Sequence, residues 1–124
     1  MNTIRILLVD DEEVITFGFS KVLAGPGIII DCAQTADEAK ILTDKYSYTA
    51  AMIDLGLSNS NILEGIDVVR LLKQSQPDCV LVVITAYGED DTRKHTMEAG
   101  ADIFLEKPVE PQKFKEVLRE LGVL

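Results

Sequence analysis

Three kinds of side chain in this sequence could do chemistry together. They are the carboxylates of Asp10, Asp11 and Asp54, the hydroxyl of Thr85 and the ammonium of Lys107. Each stands at or just past the end of an apolar run: IRILLV (4–9), AAMI (50–53), CVLVVI (79–84) and IFL (103–105). A carboxylate at the end of a buried run is costly to desolvate unless cations or hydrogen-bond donors meet it. Three carboxylates a few ångströms apart repel one another unless protons or a cation intervene. All-oxygen donors with room for water suit a hard divalent ion, above all Mg²⁺, and the Gly56 carbonyl is a further candidate oxygen. Such a half-open metal site is typically completed by phosphate oxygens. Metal, ammonium and hydroxyl together suit a transferring phosphoryl group, whose transition state is stabilised by position and charge. Within this set Asp54 is the fitting nucleophile.

Taken singly, these residues have ordinary explanations. Asp10 and Asp11 are good helix N-caps, Thr85 is a β-branched strand end, and Lys107 reads as a solvated lysine. Phe104 on a short strand reads as core, and His95 on a polar helix as surface. The site becomes specific only if the fold brings the strand ends together.

The alternation of patterns supplies that fold. After the first run, a helix is expected from about Glu12 to Leu23, stopped by Gly25, Pro26 and Gly27. A β-branched strand IIIDC (28–32) follows, then a capping box of Thr35 with Glu38 opening a helix to about Lys45. AAMI, ending at Asp54, reads as a strand buried on both faces. The Ser- and Asn-rich stretch from Leu55 to Glu64 is long for a βα connection and is expected to be mobile, with a helix from Ile66 to Ser75 after it. CVLVVI leads to a polar helix at about 90–99 capped by Gly100. A short strand at 103–105 precedes a last helix from Pro111 to near Leu121. Five strands alternating with five helices predict an α/β, doubly wound, parallel sheet. In the flavodoxin-like (βα)5 order 2-1-3-4-5, Asp10, Asp11 and Asp54 face one another across the switch point.

Composition narrows the function classes. The net charge is −9, from 21 acidic against 12 basic residues. That balance argues against nucleic acid or an anionic membrane as a direct partner. No apolar run reaches the roughly 20 residues of a membrane span, and no signal pattern opens the chain. Cys32 and Cys79 read as small, buried core residues of a reduced, cytoplasmic protein. One domain is expected over residues 1–124.

LLVDDEE (7–13), MIDLGL (52–57), ITAYG (84–88) and GADIFLEKPVEP (100–111) together resemble the receiver domain of two-component response regulators, over essentially the whole chain. The resemblance implies that Asp54 is the phosphoacceptor and that Lys107 contacts the phosphoryl group. It implies that Asp11 ligates Mg²⁺ directly, Asp10 largely through water, and that the Gly56 carbonyl completes the protein ligands. Thr85 matches the switch hydroxyl, Ala86 the small residue leaving room for the phosphoryl group, and Phe104 the aromatic that turns inward on activation. Lys107-Pro108 matches a bond usually cis in the family. Gly56 and Tyr87 fall at positions that tune phosphoryl loss. Two departures stand out. Ser58 replaces a usual proline, and Gly65 lies eleven residues after Asp54, so the connection is about three residues longer than usual.

The implied activity is that of a phosphorylation-controlled switch, not a turnover enzyme beyond its own phosphorylation and dephosphorylation. A histidine kinase or a small phosphodonor would load Asp54. An output partner or domain would read the face of the fourth helix, fifth strand and fifth helix. A homodimer through that face stays open, as does whether the receiver stands alone or forms part of a longer regulator. A flavin mononucleotide binder would want Ser, Thr and Gly where Asp10 to Glu13 stand. A phosphatase of the dehalogenase type would want a second Asp two residues after its nucleophile, where Gly56 stands. A pseudo-receiver serving only as an interaction module should have lost a key residue, and none is lost.

Overall fold

The computed structural model describes residues 3–56 and 62–124. Five strands, β1 (Ile4–Val9), β2 (Ile28–Ala33), β3 (Ala50–Ile53), β4 (Val80–Thr85) and β5 (Ile103–Glu106), form one sheet in the order 2-1-3-4-5. All four pairings are parallel, with Val9 level with Ile53 and Thr85 with Glu106. Between and after them come α1 (Glu13–Leu23), α2 (Ala36–Lys45), α3 (Ile62–Ser75), α4 (Asp90–Ala99) and α5 (Pro111–Glu120). The expected doubly wound fold is the observed one.

Strand alternation divides the core in two. Ile6, Leu8, Ala50, Met52, Val82 and Ile84 point to the face covered by α1 and α5, where Phe19 and Phe114 meet with ring centroids 5.3 Å apart. Leu7, Val9, Ala51, Ile53, Leu81 and Val83 point to the opposite face, with Ala39 of α2 and Ile66, Val68, Val69 and Leu72 of α3. The side-chain period of two in a strand makes this division. The central strand β3 is buried at all four residues, as its unbroken apolar run implied.

Local signals hold at several helix ends. The Thr35 hydroxyl accepts the Glu38 amide at 3.1 Å, one half of the expected capping box. Gly100 closes α4 at φ +124°, and the Lys73 side chain occupies the space a β-carbon there would need. Among the described residues, no helix is long and apolar enough to cross a membrane.

Two expectations need correction. The helix after Asp54 includes Ile62, four residues before the expected start at Ile66. α3 carries Gly65 where the helix passes too close to the Leu55 backbone for a side chain. The remainder of the expected mobile stretch, residues 57–61, lies outside the described residues. Cys32 is exposed, whereas Cys79 is buried as expected. β2 is an edge strand with a neighbour on one side only, so its apolar pattern does not guarantee cover.

Candidate functional site

Parallel strands and right-handed crossovers point every strand's C-terminal end to one edge, and the chemical residues emerge there. Asp10 follows β1, its amide held by the Ala33 carbonyl at 3.0 Å. Asp54 follows β3, its amide held by the Val9 carbonyl at 2.8 Å. Lys107 follows β5, and its amide donates to the Thr85 carbonyl at 2.8 Å, tying the ends of β4 and β5 together. These backbone bonds fix the roots of the side chains before any of them meet.

The carboxylates and the lysine converge. Lys107 Nζ lies 3.1 Å from Asp10 Oδ2 and 3.1 Å from Asp54 Oδ2. Asp10 is fully buried and Asp54 is 5% exposed, so both are desolvated. Their second oxygens are also met: Asp10 Oδ1 accepts the Glu12 amide at 2.9 Å and Asp54 Oδ1 accepts the Gly56 amide at 3.2 Å. Burial raises the Asp10 pKa and the negative charge of Asp54 adds to the rise, only partly offset by the Glu12 amide and by Lys107. Burial pulls the Lys107 pKa down, but the charges of Asp54 and Asp10 outweigh it and the net shift is upward. The lysine is therefore a firmly charged ammonium shared by two buried carboxylates.

Asp11, by contrast, is exposed and makes no part of that bridge. With Asp10 and Glu12 it forms a group whose carboxylate oxygens lie within 4.8 Å of one another. Asp54 joins this group through Lys107 rather than directly. Three hard oxygen donors at this spacing, one buried and two open to solvent, fit a divalent cation that keeps some of its water. Glu12 is the member that sequence reasoning missed. Its position in the DDEE run was visible, but so was a plain reading as the start of α1.

Thr85 is fully buried, and its hydroxyl accepts the Tyr87 amide at 3.2 Å, which orients the side chain within the β4–α4 loop. Ala86 is exposed at the start of that loop. The Tyr87 ring lies over Gly56, close enough that a β-carbon on Gly56 would sit 2.7 Å from it. Phe104 is buried beneath α4, with the Arg93 guanidinium 5.7 Å from its ring centre. The ring is thus already inward in this structure. The Lys107-Pro108 bond is cis, as the resemblance implied.

A doubly wound sheet whose C-terminal edge gathers buried aspartates around one lysine defines the CheY-like class of signalling receivers. The chain matches the response regulator receiver domain model over residues 6–119 and belongs to that family. It is 32% identical over 117 residues to the photosynthetic apparatus regulatory protein RegA of Cereibacter sphaeroides, covering 94% of this chain and 62% of the relative. It is 33% identical over 111 residues to the alginate biosynthesis transcriptional regulatory protein AlgB of Pseudomonas aeruginosa, covering 90% of this chain and 24% of the relative. The chain therefore spans less than two thirds of either relative. A CheY-like receiver domain protein from Methanospirillum hungatei superposes with a TM-score of 0.87 at 25% identity, over 97% of this chain and 94% of the other. A response regulator from Burkholderia pseudomallei, solved with a phosphorylated aspartic acid, a calcium ion and citrate, superposes with a TM-score of 0.80 at 26% identity, over 97% and 74%.

Proposed function

We propose that residues 1–124 act as one receiver unit that accepts a phosphoryl group on Asp54 from the phosphohistidine of a histidine kinase or from a small phosphodonor. The observation that carries this reading is the desolvated Asp54 carboxylate, gripped by Lys107 and the Gly56 amide beside the acidic group at residues 10–12. In the step, one Asp54 oxygen forms a bond to phosphorus while the bond from phosphorus to the donor's nitrogen or oxygen breaks. The bonding pair leaves with the donor atom. Lys107 turns its positive charge toward the transferred oxygens, and the Thr85 hydroxyl, released from its bond to the Tyr87 amide, donates to one of them. Ala86 leaves room for the group.

The oxygen donors suit Mg²⁺, which Asp10, Asp11, Asp54 and the Gly56 carbonyl would hold. When bound it offsets the negative charge that the phosphoryl group brings. The calcium ion of the Burkholderia pseudomallei regulator supports a divalent cation in a related fold. After transfer the side chain at 54 carries roughly one more negative charge. Movement of Thr85 toward that charge holds Phe104 inward and biases the face of α4, β5 and α5, which an output partner or a second copy of the chain reads.

The test is incubation with acetyl phosphate and MgCl₂, followed by intact mass and borohydride trapping to map the adduct. Labelling at Asp54, abolished in Asp54→Asn and by EDTA, is the expected result. An adduct that survives Asp54→Asn overturns the assignment.

A further inference from the structure

Lys107 has three N–H donors, and three carboxylates face it. Asp10 and Asp54 sit at 3.1 Å, and Glu12 Oε1 lies at 3.7 Å. Glu12 differs from the other two in being 58% exposed at its side chain, against 0% and 7%. It is also fixed at its root. Its amide donates to Asp10 Oδ1, and its carbonyl accepts the amides of Ile15 and Thr16 in the first turn of α1. Glu12 and Lys107 line the same cleft of about 390 Å³, Glu12 from the α1 side and Lys107 from the loop after β5. A carboxylate anchored by its backbone but open at its tip is a weak, releasable partner, because solvent competes for an exposed ion pair.

We propose that Glu12 is a positioning residue for Lys107, a third counter-charge that draws the ammonium toward α1 in the resting protein and gives it up when a phosphoryl group arrives at Asp54. The arrival half of this proposal rests on the phosphoacceptor reading above; the resting half does not. Asp10 is too buried to let go of the lysine cheaply, and Asp54 is the group that changes. Glu12 is the arm whose loss costs least. It therefore competes with an incoming phosphoryl group for the same ammonium.

Two variants separate contact from bulk charge. Glu12→Gln removes the charge, and with it the ion pair, leaving only a neutral oxygen acceptor. Glu12→Asp keeps the charge but shortens the arm by one methylene, withdrawing it from Lys107. The full chain is labelled with ¹³C-lysine, and the Lys107 Cε signal is identified by its loss in Lys107→Arg. The resting-state expectation is that both variants move that signal. With acetyl phosphate in saturating MgCl₂, both variants are expected to lower the KM for the donor by about 2- to 5-fold, the range an exposed ion pair supports. A Lys107 signal unmoved in both variants overturns the proposal. A KM lowered in Glu12→Gln but not in Glu12→Asp also overturns it, since that result is charge repulsion of the donor alone. If no variant takes up label while the Lys107 signal moves as expected, the phosphoacceptor reading fails. The resting contact then stands and the arrival half falls with that reading.

Discussion

Gly65 lies in α3, where alanine normally stabilises, so Gly65→Ala sets two effects of known sign against each other. Alanine favours a helix interior over glycine by about 1 kcal/mol. A β-carbon at position 65, however, would stand 2.4 Å from Leu55 Cα, 2.7 Å from its carbonyl oxygen and 2.9 Å from its carbonyl carbon. These are backbone atoms at the end of β3 and cannot rotate away. Ordinary contact begins at 3.4 Å, so the start of α3 must retreat by about 1 Å. Ile66, Val68, Val69 and Leu72 are all at most 4% exposed against the sheet. A gap of 0.5–1 Å forfeits roughly a quarter to a half of each dispersion contact it opens. Overpacking of this kind costs about 1–3 kcal/mol, which exceeds the helix gain. A net loss of up to about 2 kcal/mol, or a Tm lower by up to roughly 8 °C, is expected. Gly18→Ala is the matched control. There the β-carbon meets only Pro111 Cγ at 3.8 Å, so the helix gain of about 0.5–1 kcal/mol stands alone and Tm should rise. Thermal unfolding followed by far-UV circular dichroism reads both. Two equal increases in Tm would refute the reasoning, because the close approach of α3 to β3 would then cost nothing. Leu55 directly follows Asp54, so Gly65→Ala should also slow labelling of Asp54 by acetyl phosphate, whereas Gly18→Ala should not.

Three further outcomes are expected. Lys107→Met leaves Asp10 and Asp54 buried without the ammonium that bridges them, and should lower stability by up to about 3 kcal/mol in EDTA, measured by urea unfolding. MgCl₂ should recover part of that loss, whereas Asp54→Asn in the Lys107→Met background should recover part of it without metal. Burial, aided by the charge of Asp102, pushes the Cys79 thiol up to about 12, well above its value in an unfolded chain. Its contribution is complete at pH 8 and is lost as pH rises toward 12, because the unfolded chain gives up a proton that the folded chain keeps. The loss runs at up to about 1.4 kcal/mol per pH unit above pH 9, and urea midpoints of Cys79→Ala at pH 8 and 10.5 should show a shallower slope than the parent. At neutral pH, iodoacetamide should label exposed Cys32 at once and buried Cys79 only on unfolding, as read by intact mass.

Much of the architecture was legible in the residues themselves. Unbroken apolar runs of strand length, each followed by a helical pattern, allow little besides a parallel sheet covered on both faces. Local chemistry placed the capping threonine at 35, Pro111 in the first turn of α5 and the closing glycine at 100. Because strand ends in such a sheet share one edge, Asp10, Asp54, Thr85 and Lys107 could be assigned to one region from topology alone. What the chain did not reveal were outcomes of approach between elements distant in sequence. Cys32 and Cys79 both sit in apolar runs of the sequence, yet Cys32 on the edge strand β2 is exposed and Cys79 just before β4 is buried. Gly65 stands out in the sequence only by its spacing from Asp54, and that the Leu55 backbone occupies its side-chain space is visible only in the packed structure. Glu12 looks like one more acid at a helix start until Lys107, hydrogen-bonded to Asp10 and Asp54, approaches it as an ion pair from 95 residues away. Propensity and periodicity act over a few residues and so are written in the sequence. Which carboxylates share one ammonium depends on ångström-scale distances between separate strand ends, and only the packed structure decides those.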